Sequence, residues 1–329
     1  MANLFELFES LPLPQTDDEP HFSAIPIPRY ENHRLGKNSL GMPLLLISTS
    51  NFTKQDHPAP IVLEHLKVLH QIDCHISRPD GIIEQGVFTI VQCIARDANL
   101  HQYFLRIVSS VLLSLRNIPT QDEITYAVNQ LVELFRAIAQ PARKSIQGLW
   151  AELFIMARTK NTAELVSAWH SKPDDLYDFS ASSQRLEIKS TAHQIRQHFF
   201  SLEQLNPPAG IEVLVASVIV ENNQAGKTIN DLSEKILSHI NNKPDLVLHF
   251  ERIMGLSLGN TWYRASEERF DEKRAEQALK FFNVSDIASV NPNLPREVSC
   301  VRFKSDLTNI PSIEKSQYHR KSGLFLTIL

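Results

Sequence analysis

Between Asp178 and Lys189 the chain carries an acid, a short gap and the triplet Glu187-Ile188-Lys189. On a strand, residues two apart share a face, so Glu187 and Lys189 stand together while Leu186 and Ile188 turn into a core. If Asp178 pairs with Glu187 across a hairpin, Phe179 meets Leu186 and Ser180 meets Arg185. Residues 181–184 are then left as a four-residue loop. Directly opposed residues have Cβ atoms about 5 Å apart, a spacing at which two carboxylates can share one cation and without it repel. The matching chemistry is metal-assisted hydrolysis of a phosphodiester, in which carboxylate oxygens hold Mg²⁺ and a lysine stands beside the attacking water. The competing account is a solvated hairpin face, and for an isolated E-x-K triplet it would be preferred.

Three neighbouring features move that balance. Glu187-Ile188-Lys189 is the only E-x-K in the chain, in its most strand-like polar segment. The nearest imitation, Asp271-Glu272-Lys273, lies in a charged helical run where a spacing of two splits the faces. Upstream, Glu152 follows Gly148 on a helix, and downstream Gln204 sits on a short helix after the third expected strand.

These residues carry a resemblance. Gly148-Leu149-Trp150-Ala151-Glu152-Leu153, Trp169, Asp178-Phe179-Ser180, Leu186-Glu187-Ile188-Lys189-Ser190-Thr191 and Phe200-Ser201-Leu202-Glu203-Gln204-Leu205 resemble, in this order, the motifs of the PD-(D/E)XK nuclease superfamily. More narrowly they are similar to a group of bacterial PD-(D/E)XK members of unknown function. The resemblance implies a restriction-endonuclease-like core and Mg²⁺-dependent cleavage of DNA, with Mn²⁺ as a substitute ion and RNA as the other substrate class. It also implies a restriction or phage-defence setting, with an ATPase or a methyltransferase as partner. Carried over residue by residue, Asp178 and Glu187 are metal ligands, with the Ile188 carbonyl as a third. Lys189 orients water and stabilises developing charge, Glu152 is an auxiliary ligand or supports the ligands, and Gln204 orients the site or touches a phosphate. The sequence departs from the name in one place: Tyr177, not proline, precedes Asp178. Pro173-Asp174 spells the dipeptide farther upstream, so Asp174 or Asp175 stays a lesser alternative to Asp178.

The elements that must position this set read as an α/β (α+β) domain. A helix is expected over 142–158, with Ile146, Leu149, Trp150, Leu153, Phe154 and Ala157 on one face and Glu152 off that stripe. Extended segments follow at 177–180, 185–191 and 196–200, then a short helix at 202–205 and a Val/Ile-rich strand at 211–220. Thr228 caps a helix to Ile240, with Asp231 at its third position. That order gives a central mixed sheet flanked by helices. Trp150 and Trp169 read as core. Before this domain, strands are expected at 42–48, 61–70 and 87–94, followed by two helices. One carries the stripe Phe104, Val108, Val111, Leu112, Leu115; the other carries Ile124, Val128, Leu131, Phe135, Ile138. Gln140-Pro141 ends the second helix, which places an N-terminal mixed α+β accessory domain at 1–142 and the nuclease-like domain at 143–329.

With 329 residues, 43% of them hydrophobic, the chain can bury the cores of two domains. Cys74, Cys93 and Cys300 form no CxxC pair, which argues against a zinc site or a disulfide framework and fits a reducing cytosol. Glu6 and Glu9 stand where a signal peptide would be positive, and the longest apolar helix, bounded by Arg106 and Arg116, is too short to span a bilayer. A soluble cytoplasmic protein is expected. The net charge of −4 does not announce a general nucleic-acid binder. Residues 1–142 carry 10 basic and 15 acidic side chains and the remainder 23 and 22, so the C-terminal part is the more suited to nucleic acid. A non-catalytic subunit that keeps the fold and binds nucleic acid or a partner protein is the rival expectation.

Other motifs are decoys. Gly255-Leu256-Ser257-Leu258-Gly259 matches G-x-S-x-G, but residues 244–254 read as a helix with Gly255 as its cap, whereas the hydrolase turn needs a strand before the serine. Gly226-Lys227-Thr228 lacks the first glycine of a phosphate loop, with Glu221 in its place. His193, His198, Arg185 and Arg196 could rim a phosphate but read better as a solvated strand edge, and the basic tail Lys315, His319, Arg320, Lys321 reads as solvated.

Overall fold

The computed structural model describes residues 4–14, 20–48, 58–113, 115–170, 175–293, 295–314, 317 and 323–328. The chain forms two compact units, one of Met1–Pro141 with Met254–Asn260, the other of Ala142–Ile253 with Thr261–Leu329.

The first unit opens with α1 (Leu4–Glu9) and continues through β1 (His21–Ile27), β2 (Tyr30–Lys37), β3 (Pro43–Ser48), β4 (Ile61–Val62), β5 (Leu66–Ser77) and β6 (Ile83–Cys93). Its sheet runs β1-β2-β3-β6-β5-β4, and β1 also pairs in parallel with β5, from His21↔His75 to Ser23↔Ser77. Five strands therefore close into a ring, with β4 appended to β5. The β5–β6 register slips between Leu69 and Ile72, a bulge at which Gln71 has φ 54°. Phe22, Leu44, Leu46, Ile76, Phe88 and Ile90 fill a core of this ring. Helices α2 (Ala98–Leu112) and α3 (Gln121–Ile138) follow, the latter opened by a Thr120–Glu123 capping box. Both expected helices are present. The expected strand over 61–70 is instead two strands, and β1 and β2 were missed because Pro26 interrupts one and the other is largely polar.

The second unit contains α4 (Ile146–Arg158), α5 (Thr162–Ala168), β7 (Phe179–Ala181), β8 (Gln184–Thr191), β9 (Gln197–Ser201), α6 (Leu202–Leu205), β10 (Glu212–Ile219), β11 (Asn222–Lys227) and α7 (Ile229–Ile240). After these come α8 (Pro244–Leu258), which from Met254 on belongs to the first unit, and then α9 (Glu272–Ala278), β12 (Lys280–Asn283), β13 (Arg302–Asp306) and α10 (Gly323–Ile328). The mixed α/β class is met by a four-stranded sheet, β12-β10-β8-β7, parallel only between β8 and β10. At its centre β10 is buried continuously from Val213 to Ile219, as a strand covered on both faces must be. The expected third strand, β9, is a correction: it leaves this sheet and pairs with β13, because its partner lies about a hundred residues downstream.

Helix α4 also differs from expectation. Ser145 accepts from the Gly148 N–H and caps the helix, so residues 142–145 stay outside it. Every residue from Leu149 to Ala157 is buried, because α4 packs on β8, α5 and α7. Its core surface is therefore far wider than one stripe, and Glu152 lies inside it. Ser257 is buried within α8, which runs on past Gly255 to Leu258, so no strand-to-helix turn presents that serine. Thr228 and Asp231 form the expected capping box of α7, and a Cβ at Gly226 would strike the Phe270 carbonyl, which accounts for that glycine. Among the described residues no helix is long and apolar enough to cross a membrane.

Candidate active site

The hairpin of β7 and β8 pairs Phe179 with Leu186, Ser180 with Arg185 and Ala181 with Gln184. Its turn is therefore two residues, Ser182 and Ser183, tighter than the four expected, with Ser182 at φ 50°. One step beyond Phe179↔Leu186 the register brings Asp178 opposite Glu187. The Ile188 N–H donates to Asp178 Oδ2 at 2.8 Å, so this side chain lies along the backbone of β8. The N–H groups of Glu212 and Val220 donate to the carbonyls of Ser183 and Thr191, which fixes the odd-numbered carbonyls of β8 toward β10. By alternation the carbonyl of Ile188 points to the opposite edge, where its N–H meets Asp178.

A second acid comes from α4. Glu152 is 4% exposed, and the Trp169 indole N–H donates to its Oε2 at 2.8 Å. Trp169 closes α5 and bridges to Phe179, and the next N–H, of His170, donates to the Asp178 carbonyl at 2.9 Å. The end of α5 is thus stitched to the start of the hairpin.

Lys144 completes this side. Its ammonium donates to Glu152 Oε1, to Asp178 Oδ1 at 2.9 Å and to His170 Nε2 at 2.8 Å. An ammonium has three protons and no lone pair, so all three are used and the imidazole must accept at Nε2. Burial opposes the charge on Lys144, but the carboxylates of Asp178 and Glu152 outweigh it and hold the ammonium above its usual range. Burial likewise pushes the Asp178 carboxyl up, while the Lys144 ammonium and the Ile188 N–H pull it further down, and the net direction is down. Glu152, His170 and Asp178 each offer a ligand atom, and these atoms lie within 4.8 Å of one another.

Glu187 is in the opposite state. Burial first, then the neighbouring Asp178 charge, pushes its carboxyl up to about 8, although Lys189 lies 2.6 Å from Oε1. The ion pair is outweighed because Asp178, ionised and clamped, is the second charge in the same dry volume. Lys189 is steered in turn: Gln204 Oε1 lies 3.4 Å from Nζ, and the Phe200 ring centroid is 4.9 Å away. Gln204 is held by the Ser201 N–H at 3.1 Å in a capping box and donates to the Leu176 carbonyl at 3.1 Å. Tyr177 donates to the carbonyls of Glu203 and Gln204, tying the residue before Asp178 to the same short helix.

Glu152, Asp178, Glu187, Lys189 and Gln204 thus fall into one linked set. Lys144 and His170 were missed, since a lysine before a helix cap and a histidine after a short helix carry no spacing signal. Asp178, rather than Asp175, meets Lys144 and Ile188; Asp174 lies outside the described residues, as do Lys315, His319, Arg320 and Lys321 of the tail. Arg196 and His198 are not a solvated edge: both are buried, each donating to or sharing a hydrogen bond with Ser217 Oγ, and burial pushes His198 down to about 4. His193 and its neighbours 192–195 are exposed.

A family model described as "Putative PD-(D/E)XK family member, (DUF4420)" matches residues 4–308. The chain belongs to this PD-(D/E)XK family. The match extends into both compact units. No curated protein and no solved structure matches the chain. Against the family name, Tyr177 in place of proline gives up a fixed φ and supplies the hydroxyl that ties Asp178 to α6.

Proposed function

We propose that this chain is a nuclease that hydrolyses DNA phosphodiester bonds with Mg²⁺ through Asp178, Glu187 and Lys189, on a restriction-endonuclease-like core. The observation that carries the proposal is the strand side of the cluster: two buried, mutually repelling carboxyls with a lysine steered onto one of them. Family membership supports the same class of chemistry. The donors fit a hard divalent cation, since Asp178, Glu187 and the outward carbonyl of Ile188 offer only oxygen. The raised Glu187 carboxyl supports that fit: burial first and the Asp178 charge second outweigh the Lys189 ammonium, so a further cation would stabilise its ionised form.

When bound there, Mg²⁺ would polarise the scissile phosphate and acidify water. Hydrolysis adds a water oxygen to phosphorus, breaks one P–O bond and returns a proton to the leaving sugar oxygen. Lys189 would orient the attacking water and offset charge on the phosphoryl oxygens. Gln204 and Phe200 limit where its ammonium can go. Lys144 and the Ile188 N–H would keep Asp178 ionised and aimed at β8, with Glu152, itself held by Trp169, anchoring Lys144. The setting is a bacterial restriction or phage-defence system, with an ATPase or methyltransferase as partner and DNA preferred over RNA.

The test is cleavage of plasmid DNA by the purified chain in Mg²⁺ or Mn²⁺. Asp178→Ala and Lys189→Ala are each expected to abolish it, and equal cutting by wild type and Lys189→Ala would refute the mechanism. One observation favours the non-catalytic reading: the Lys144 ammonium already pairs with both Glu152 and Asp178. Calorimetry separates the two, since a binding subunit has no Mn²⁺ site to lose in Glu187→Ala.

A further inference from the structure

Glu152, His170 and Asp178 come from a helix, the residue after another helix and the start of a hairpin, yet their ligand atoms lie within 4.8 Å of one another. Two carboxylates and an imidazole so placed have the composition of a divalent metal site. The Lys144 ammonium already sits among them, within hydrogen-bond distance of all three. Its three protons match three acceptors, and two of those acceptors are fixed from behind. Trp169 holds Glu152 at Oε2, and the Ile188 N–H holds Asp178 at Oδ2. Lys144 has little freedom to leave: its side chain is 23% exposed, and its backbone adjoins Ser145, the cap of α4. We propose that Lys144 is a built-in counter-cation, whose ammonium fills the position where Glu152, His170 and Asp178 could jointly hold a metal ion and keeps it closed to divalent cations. It is a positioning residue: it acts by fixing Asp178 and by confining metal to the Glu187 side.

The inference rests on the proposed function only for the ion it expects on that side, and stoichiometry separates the two. Mn²⁺ titration of the full chain by calorimetry is expected to give one ion for wild type. Lys144→Met, which keeps length and removes charge, should bind one ion more than wild type. The gain should vanish in Lys144→Met/His170→Ala and be absent in Lys144→Arg. If wild type binds none and Lys144→Met binds one, the counter-cation role stands and the Asp178–Glu187 metal site falls. If both bind one, the counter-cation role is overturned and the Asp178–Glu187 site survives. Should Lys144→Met not fold, His170→Ala alone decides. Under the proposal its Mn²⁺ count and affinity match wild type within twofold, and a lost ion or a tenfold weaker one would overturn the role. A second readout is the Trp169 indole N–H resonance, which reports on Glu152. It should move with Mg²⁺ in Lys144→Met and stay fixed in wild type.

Discussion

The two sides of the acidic cluster hold their charge differently. On the helix side Glu152 and Asp178 share the Lys144 ammonium, and Asp178 is held below the usual carboxylate range despite burial. On the strand side Glu187 has a lysine at 2.6 Å and is still pushed up to about 8. One close cation does not ionise a buried acid when an ionised acid already shares the volume. Three carboxyls face two ammoniums, so one negative charge is in excess, and the surplus falls on the acid with fewest donors. That asymmetry marks Glu187 as the group whose ionisation needs added positive charge.

The sharpest way to break this contrast is to neutralise each acid in turn. Asp178→Asn should leave the Lys144 ammonium short of a partner and destabilise the metal-free protein by roughly 3 kcal/mol, the cost of breaking a buried pair from one side. Glu187→Gln removes the surplus charge, so at pH 8 it should leave the metal-free protein at least as stable as wild type. Chemical denaturation in EDTA at pH 8 measures both, and equal losses would mean that the two acids are not in different states.

The second prediction concerns pH. Glu187 has a folded-state value of about 8 against an ordinary value near 4.5. Between those limits the folded chain keeps a proton that the unfolded chain has lost, so stability present at pH 4.5 is lost as pH rises through 8. The Tm of metal-free wild type should fall by roughly 5–10 °C between pH 5 and 8.5, and Glu187→Gln should flatten the slope. An unchanged slope in the variant would assign the titration elsewhere.

The same proton must leave when a cation binds Glu187. Mn²⁺ affinity should therefore rise about tenfold per pH unit below pH 8 and level off above it. A flat profile from pH 6 to 8 would show Glu187 already ionised and remove the difference between the two sides.

The strand side was legible in sequence, and the helix side largely was not. Two-residue spacing set Glu187 and Lys189 on one face, and hydrophobic alternation fixed the Phe179↔Leu186 register that brings Asp178 opposite Glu187. The short helix at 202–205 was expected, and the structure adds its Ser201–Gln204 capping box. These are local patterns. Lys144 and His170 meet Glu152 and Asp178 only through the packing of α4, α5 and the hairpin, and no periodicity joins positions 144, 152, 170 and 178. Helix α4 begins four residues after its expected start: Ala142 and Arg143 fit a helix, but the Ser145 cap sets the boundary. β9 was placed in the wrong sheet because pairing with β13 is a long-range choice between equally good strands.

The smallest effect is expected at Gln204, where the strand side meets α6. Its Oε1 lies 3.4 Å from the Lys189 ammonium, long for a hydrogen bond, and already accepts from the Ser201 N–H. Gln204→Ala removes that contact and the bond to Leu176, but leaves Glu187 and Phe200 to hold Lys189. The loss of positioning should be about 1 kcal/mol, or roughly fivefold in kcat with KM unchanged. Single-turnover cleavage of an oligonucleotide duplex measures it. A fall as deep as that of Lys189→Ala would mean that Gln204 touches the reacting phosphate. Steering by Phe200 and Glu187 would then be insufficient to explain where Lys189 stands.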